Sequence, residues 1–156
     1  MSEAVTRRGF SLIELTVVVA ILGILAAIVL PRFASANEQA TTNAVAAITR
    51  NVQLKISEHY AKHGSYPATI EGDWFMEGTL PANPYDPNGG TSLIVQNISN
   101  KVYLQTKVAG SHIYWYNRAT GAFHIRIPDQ GSSAANLAYY NRVNHSDAQS
   151  MSQTER

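Results

Sequence analysis

Arg7-Arg8-Gly9-Phe10-Ser11-Leu12-Ile13-Glu14-Leu15-Thr16-Val17-Val18-Val19-Ala20-Ile21-Leu22-Gly23-Ile24-Leu25-Ala26-Ala27-Ile28-Val29-Leu30-Pro31 is the stretch on which the fold of this chain turns. From Phe10 to Leu30 a single charge, Glu14, interrupts the apolar run. A helix of that length rises about 30 Å, the thickness of a bilayer's hydrocarbon core. Arg7 and Arg8 precede it, which favours keeping the N-terminal end on the cytoplasmic side and places the bulk of the chain outside the cytoplasm.

Glu14 is the anomaly. A carboxylate at the centre of an inserting helix costs roughly 2.5–3.5 kcal/mol, and less near an end. Two accounts offset that cost. Glu14 lies four residues inside the apolar run, near enough to reach headgroups or water. Alternatively it has a cationic partner, and cleavage after Gly9 would create one in the new α-amino group of Phe10. Pairing in hydrocarbon is much stronger than in water because the effective dielectric is low. Within one helix the two groups stand about one turn apart; between copies, the amine of one would meet the carboxylate of the next.

A short basic leader, Gly9, Phe10, Glu14 and an unbroken apolar helix ending at Pro31 resemble the prepilin signal of type IV pilins and type II secretion pseudopilins. The resemblance implies that a prepilin peptidase/methyltransferase cuts between Gly9 and Phe10 and methylates the Phe10 amine. It further implies that Glu14 guides assembly. It implies a pilin-like α+β fold, in which a long N-terminal helix packs on a small antiparallel sheet. The implied partners are other copies of the chain and related pilins, an assembly platform protein with its ATPase, and membrane lipid before assembly. Strict resemblance covers residues 7–33. Gly64-Ser-Tyr-Pro, Leu80-Pro-Ala-Asn-Pro and the Trp115-Tyr-Asn…Thr120-Gly…Phe123 pattern are similar to later stretches of pseudopilin-like proteins.

Two rivals explain less. A secretory signal peptide would use Ala34-Ser35-Ala36 as its cleavage site, but such cores run about 7–15 residues and rarely hold an acid. An uncut signal anchor leaves Gly9, Phe10 and Glu14 without a reason for their positions. Pro31 either starts a second helix or kinks a continuing one, since proline removes a backbone donor; the helical pattern on both sides favours the kink.

From Arg32 to His63 the pattern becomes amphipathic. Ala40, Ala44, Ile48, Val52, Ile56 and Tyr60 recur every fourth residue and predict one apolar stripe. Lys62, His63 and Gly64 are a basic last turn followed by a left-handed cap. Residues 64–92 are rich in turn signals, with Trp74, Phe75, Met76 and Leu80 expected to be pinned to the core. Alternation at Val102, Leu104, Thr106 and Val108 predicts a strand, and Leu93–Ile98 another. Tyr114–Tyr116 and Phe123–Ile127 predict a hairpin about Gly121. Three or four antiparallel strands are therefore expected over the helix. Beyond Pro128 the chain is polar; Ala135, Leu137, Tyr139 and Tyr140 suit a short helix, and residues 144–156 are expected to be disordered.

The organisation expected is thus a leader (1–9), a transmembrane or filament-core helix (10–30), the amphipathic half of the same helix (31–63), a loop-and-sheet domain (64–128) and a polar, partly disordered tail (129–156). The mean hydropathy of −0.14 averages an apolar rod with a polar domain. Of 12 basic and 11 acidic side chains, Arg7, Arg8 and Glu3 lie in residues 1–9, leaving ten of each. So balanced a chain predicts no nucleic-acid partner. No cysteine is present, which excludes disulfides, thiolate catalysis and cysteine-ligated zinc. His59 and His63 have i, i+4 spacing without a visible third ligand. Asp86, Asn88 and the glycines after them resemble a calcium loop only faintly, and the end of the sequence lacks the clustered acids of the calcium loop that the major type II secretion pseudopilins carry near the C-terminus. No metal, no cofactor and no enzymatic site are predicted. Two functions stay open: a filament subunit of a pilus or secretion pseudopilus, or a membrane-anchored binding protein or minor tip pilin for adhesion or DNA uptake.

Overall fold

The computed structural model describes residues 10–86, 88–97, 103, 108 and 114–154. The leader, with Arg7, Arg8 and Gly9, lies outside the described residues, as do Val102, Leu104 and Thr106 of the expected strand. One helix, α1, covers Leu12–His63 with Pro31 inside it. The chain divides into two compact units between Gln39 and Ala40. The described part of the first is helical and has no core: every large apolar side chain from Leu12 to Leu30 is exposed.

The second unit has a core because α1 changes character. Its buried residues are Thr42, Val45, Thr49, Val52 and Ile56, spaced alternately by three and four. A strict four-residue repeat drifts around a helix of 3.6 residues per turn. Ala40, Ala44 and Tyr60 of the expected stripe are accordingly exposed, and Ile48 is half-buried. Gly64, at φ 70°, ends the helix as the glycine cap requires.

Three strands follow, β1 (Leu93–Gln96), β2 (Tyr114–Asn117) and β3 (Ala122–Ile125), in the order β1-β2-β3. The β2–β3 hairpin is antiparallel as expected, with Tyr116 opposite Phe123. β1, however, runs parallel to β2, with Leu93 opposite Tyr114, so the sheet is mixed rather than antiparallel. The segment between them is long enough for the crossover that parallel pairing needs. Tyr103 and Val108 make isolated bridges to Thr154 and Ile127.

β2 is buried on both faces. Tyr114 and Tyr116 join Val52, Ile56, Phe123 and Ile125 in the core, while the Trp115 ring stacks on His124 at 6.0 Å between centroids. The Tyr116 hydroxyl donates to the Pro67 carbonyl at 2.8 Å and that of Tyr114 to the Pro81 carbonyl, tying the proline-rich loop to the sheet. Burial, and secondarily the nearby Tyr66, push the Tyr116 phenol up to about 12, and burial raises Tyr114 further. Both phenols must stay protonated in the fold, so their contribution is whole below pH 10 and is lost as pH rises toward 12. Alkaline unfolding in that window, followed by circular dichroism, is the expected result; a Tyr116→Phe variant should shift it.

Two side-chain amides close the outer edge of β3. Gln53 donates to the Gly121 carbonyl at 3.0 Å and accepts from the Phe123 amide at 3.2 Å. Asn144 accepts from the Ile125 amide at 2.7 Å and donates to its carbonyl at 3.1 Å. An unpaired edge is a template for aggregation, and here it is satisfied internally. Asn144→Ala would leave both Ile125 groups buried and unpaired and is expected to cost about 2–4 kcal/mol, read as a lowered urea midpoint for the detergent-solubilised chain.

α2 (Ser133–Asn144) starts on the Ser132 hydroxyl, which accepts from the Ala135 amide, and ends at left-handed His145. The polar segment after it is ordered rather than disordered through Thr154. Ala148 and Met151 are buried, and Asn141 donates to the Ala148 carbonyl at 2.9 Å. Ala148 and Met151, three residues apart, join the core cluster, and neighbouring polar groups bond locally. Met76 is the opposite case, fully exposed although expected in the core. The tight turn at Gly72–Trp74 sends Trp74 and Phe75 inward, half-buried, and Met76 out.

Candidate functional site

The site is the apolar end of α1. Fifteen large hydrophobic side chains from Phe10 to Phe33 are between 41% and 80% exposed. Contiguous apolar surface on that scale is not left in water; it marks a membrane or protein interface. α1 is long and apolar enough to cross a membrane. Its few polar groups bond within the helix: the Thr16 hydroxyl donates to the Ile13 carbonyl at 2.9 Å, and that of Ser35 to the Arg32 carbonyl at 3.0 Å.

At the start of the helix the Ser11 backbone amide donates to Glu14 Oε2 at 2.8 Å, and the Leu15 amide donates to the Ser11 carbonyl at 3.2 Å. Ser11 is thus the cap position and Glu14 the third helical residue, which reaches back as in a capping box. The carboxylate also lies where the positive end of the helix dipole favours it. One turn of backbone therefore offsets part of the cost of burying Glu14 in an apolar medium. The spacing of Ser11 from Glu14 carries the signal of this cap in the sequence. Phe10 directly precedes the cap and is exposed. Pro31 removes the donor that would serve the Ala27 carbonyl, so the ladder is weakened at that point.

The other candidates resolve into local structure. The rings of His59 and His63 are 4.4 Å apart, with His59 Nδ1 3.1 Å from the Ser65 carbonyl; among the described residues no group of three ligating side chains gathers. Both Asp86 oxygens accept loop amides, from Asn88 at 3.0 Å and Gly90 at 2.7 Å, so its resemblance to a cation loop is that of a turn staple.

Residues 6–30 match the family model of the prokaryotic N-terminal methylation motif. The chain is 32% identical over 98 residues to a type II secretion system core protein G of Pseudomonas aeruginosa, covering 53% of this chain and 69% of that protein. It is 36% identical over 62 residues to a fimbrial protein of Neisseria meningitidis serogroup A, which is 40% of this chain and 36% of that protein. A type IV major pilin protein of Neisseria gonorrhoeae shows 36% identity over 61 residues, 39% and 37% of the two chains. The chain thus spans little more than a third of the length of the neisserial proteins it matches. No solved structure matches it. A methylation motif on an uncovered apolar helix, a small sheet packed on the continuation of that helix, and a match across most of a secretion pseudopilin have one common explanation: the chain belongs to the type IV pilin and pseudopilin family.

Proposed function

We propose that this chain is a structural subunit of a type IV pilus-like filament or a type II secretion pseudopilus, and not an enzyme. The observation that carries the proposal is the uncovered apolar surface from Phe10 to Phe33 with one carboxylate at its start. In the cytoplasmic membrane, lipid covers that surface, with the domain after residue 40 on the periplasmic or extracellular side. Residues 1–9 are a leader, cut between Gly9 and Phe10 by a prepilin peptidase that methylates the Phe10 amine. Residues 10–30 then exchange lipid for the same segments of other copies, residues 31–63 continue the helix, and residues 64–154 form the outer domain. A platform protein and ATPase drive extraction.

Glu14 is the assembly residue. Oε2 caps its own helix, and the remaining lone pairs are available to the methylated amine of an adjoining copy, which sets the axial stagger. The weakened ladder at Pro31 lets the apolar half bend as it leaves the bilayer. The intact mass of the mature protein tests the processing step. A chain beginning at a methylated Phe10 is expected; one beginning at Met1 or Asn37 overturns the proposal, because the amine that Glu14 requires would not exist.

A further inference from the structure

The charges of the folded domain are segregated along the sequence. From Gly64 to Asn100 there are four acids (Glu71, Asp73, Glu77, Asp86) and no Lys, Arg or His. From Lys101 to Pro128 there are four Lys or Arg (Lys101, Lys107, Arg118, Arg126), two His (His112, His124) and no acid. The fold sets Asp73 and Glu77 on one flank of the exposed ridge of α1 at Leu54 and the turn that carries Arg118 on the other. On one flank a groove of about 620 Å³ opens between α1 and the β2–β3 turn. Leu54, Ala122 and Phe123 supply its apolar lining, Arg50 is the formal cation in it, and no carboxylate lines it. Arg118 is exposed in the same turn. On the other flank Trp74, Met76 and Glu77 stand beside Asn51 and Lys55, with Asp73 close by, near Glu58, Lys62 and the neutral His59 and His63. Lys55 and Lys62 share Glu58 at 3.2 and 2.7 Å, so their excess is one positive charge against the three acids of the loop.

Met76 is therefore a fully exposed apolar knob between two carboxylates, and the groove is an apolar slot with a cationic rim. They lie on different flanks of one domain, so one copy's knob does not meet that copy's own groove across the ridge. We infer that the Asp73–Glu77 loop of one copy seats in the Arg50–Arg118 groove of the next. Such a contact is heterologous, and repeated without closure it generates a helical array. Charge complementarity of this kind selects register and excludes wrong pairings more than it adds affinity. The inference rests on the filament reading and gives that filament an outer, electrostatic contact separate from the apolar core.

The chain has no cysteine, which makes cross-linking clean. Ser57→Cys on the groove and Thr79→Cys beside the loop, combined in one full-length chain and treated with a short bismaleimide during assembly in cells, should give a ladder of multimers. Either single variant should give monomer. Arg50→Glu with Arg118→Glu should reduce the ladder about tenfold, and adding Asp73→Lys with Glu77→Lys should restore it. Sheared filaments that form normally with no ladder, or that ignore both charge reversals, overturn this contact and leave the filament reading standing. A parent chain that yields no filaments at all overturns both.

Discussion

Glu14→Ala is expected to reach the membrane and be cut at Gly9–Phe10 like the parent, yet to yield sheared filament at no more than about a hundredth of the parent level. Removing the acid cannot hinder insertion, since the carboxylate is the only charge in the segment and its burial is unfavourable. What the proposed register loses is the partner of the Phe10 amine. Stripping one member from an ion pair out of water costs about 3–5 kcal/mol, because the other charge is left uncompensated, and every subunit of a filament would bear that cost. The local cap supplies the control. Glu14→Gln keeps an oxygen able to accept from Ser11 but carries no charge. Failure of Gln as well as Ala assigns assembly to the charge. Parent-level filaments from Glu14→Gln would reduce Glu14 to a helix cap and sink the proposed register.

Gly121→Val should damage the folded domain severely, by about 2–5 kcal/mol. Gly121 turns the β2–β3 hairpin at φ 75°, where a residue with a Cβ is strained by roughly 1–2 kcal/mol. A Cβ there would also overlap the ring of Tyr66, itself packed on Tyr60 at 4.5 Å between centroids. Displacing Tyr66 opens the loop end that Tyr116 pins through Pro67, and overpacking of this kind adds about 1–3 kcal/mol. Urea unfolding of the detergent-solubilised chain, followed by the fluorescence of buried Trp115, measures the loss. A midpoint within error of the parent would mean that the turn tolerates a left-handed valine and that the Tyr66 contact carries no weight.

Much of the fold was legible because it depends on local pattern. The long helix, its Gly64 cap, the hairpin about Gly121 and the short helix through Tyr139 each follow from spacing and turn chemistry within a few residues. Misreadings arose where the outcome depended on residues far away. Ala148 and Met151 sit in a polar stretch whose burial follows only once α2 has placed it. Met76 follows Trp74 and Phe75 in an apolar run, and the turn before it decides which side chain faces outward. Asn144 and Gln53 are ordinary polar residues in sequence, and nothing local says that both complete the edge of β3.

By itself the sequence determined the apolar rod and the place of its single charge. Twenty-one residues with one acid at the fifth position form an apolar surface in any tertiary context, because water rejects that surface whatever follows it. Only the tertiary structure decided that β1 joins its neighbour in parallel, that the helix buries an alternating three-and-four face, and that Asp73 and Glu77 stand on the flank of α1 opposite the β2–β3 turn. Those are properties of long-range packing, in which each partner is chosen by shape and hydrogen bonding after the chain has turned, and no window of residues contains them.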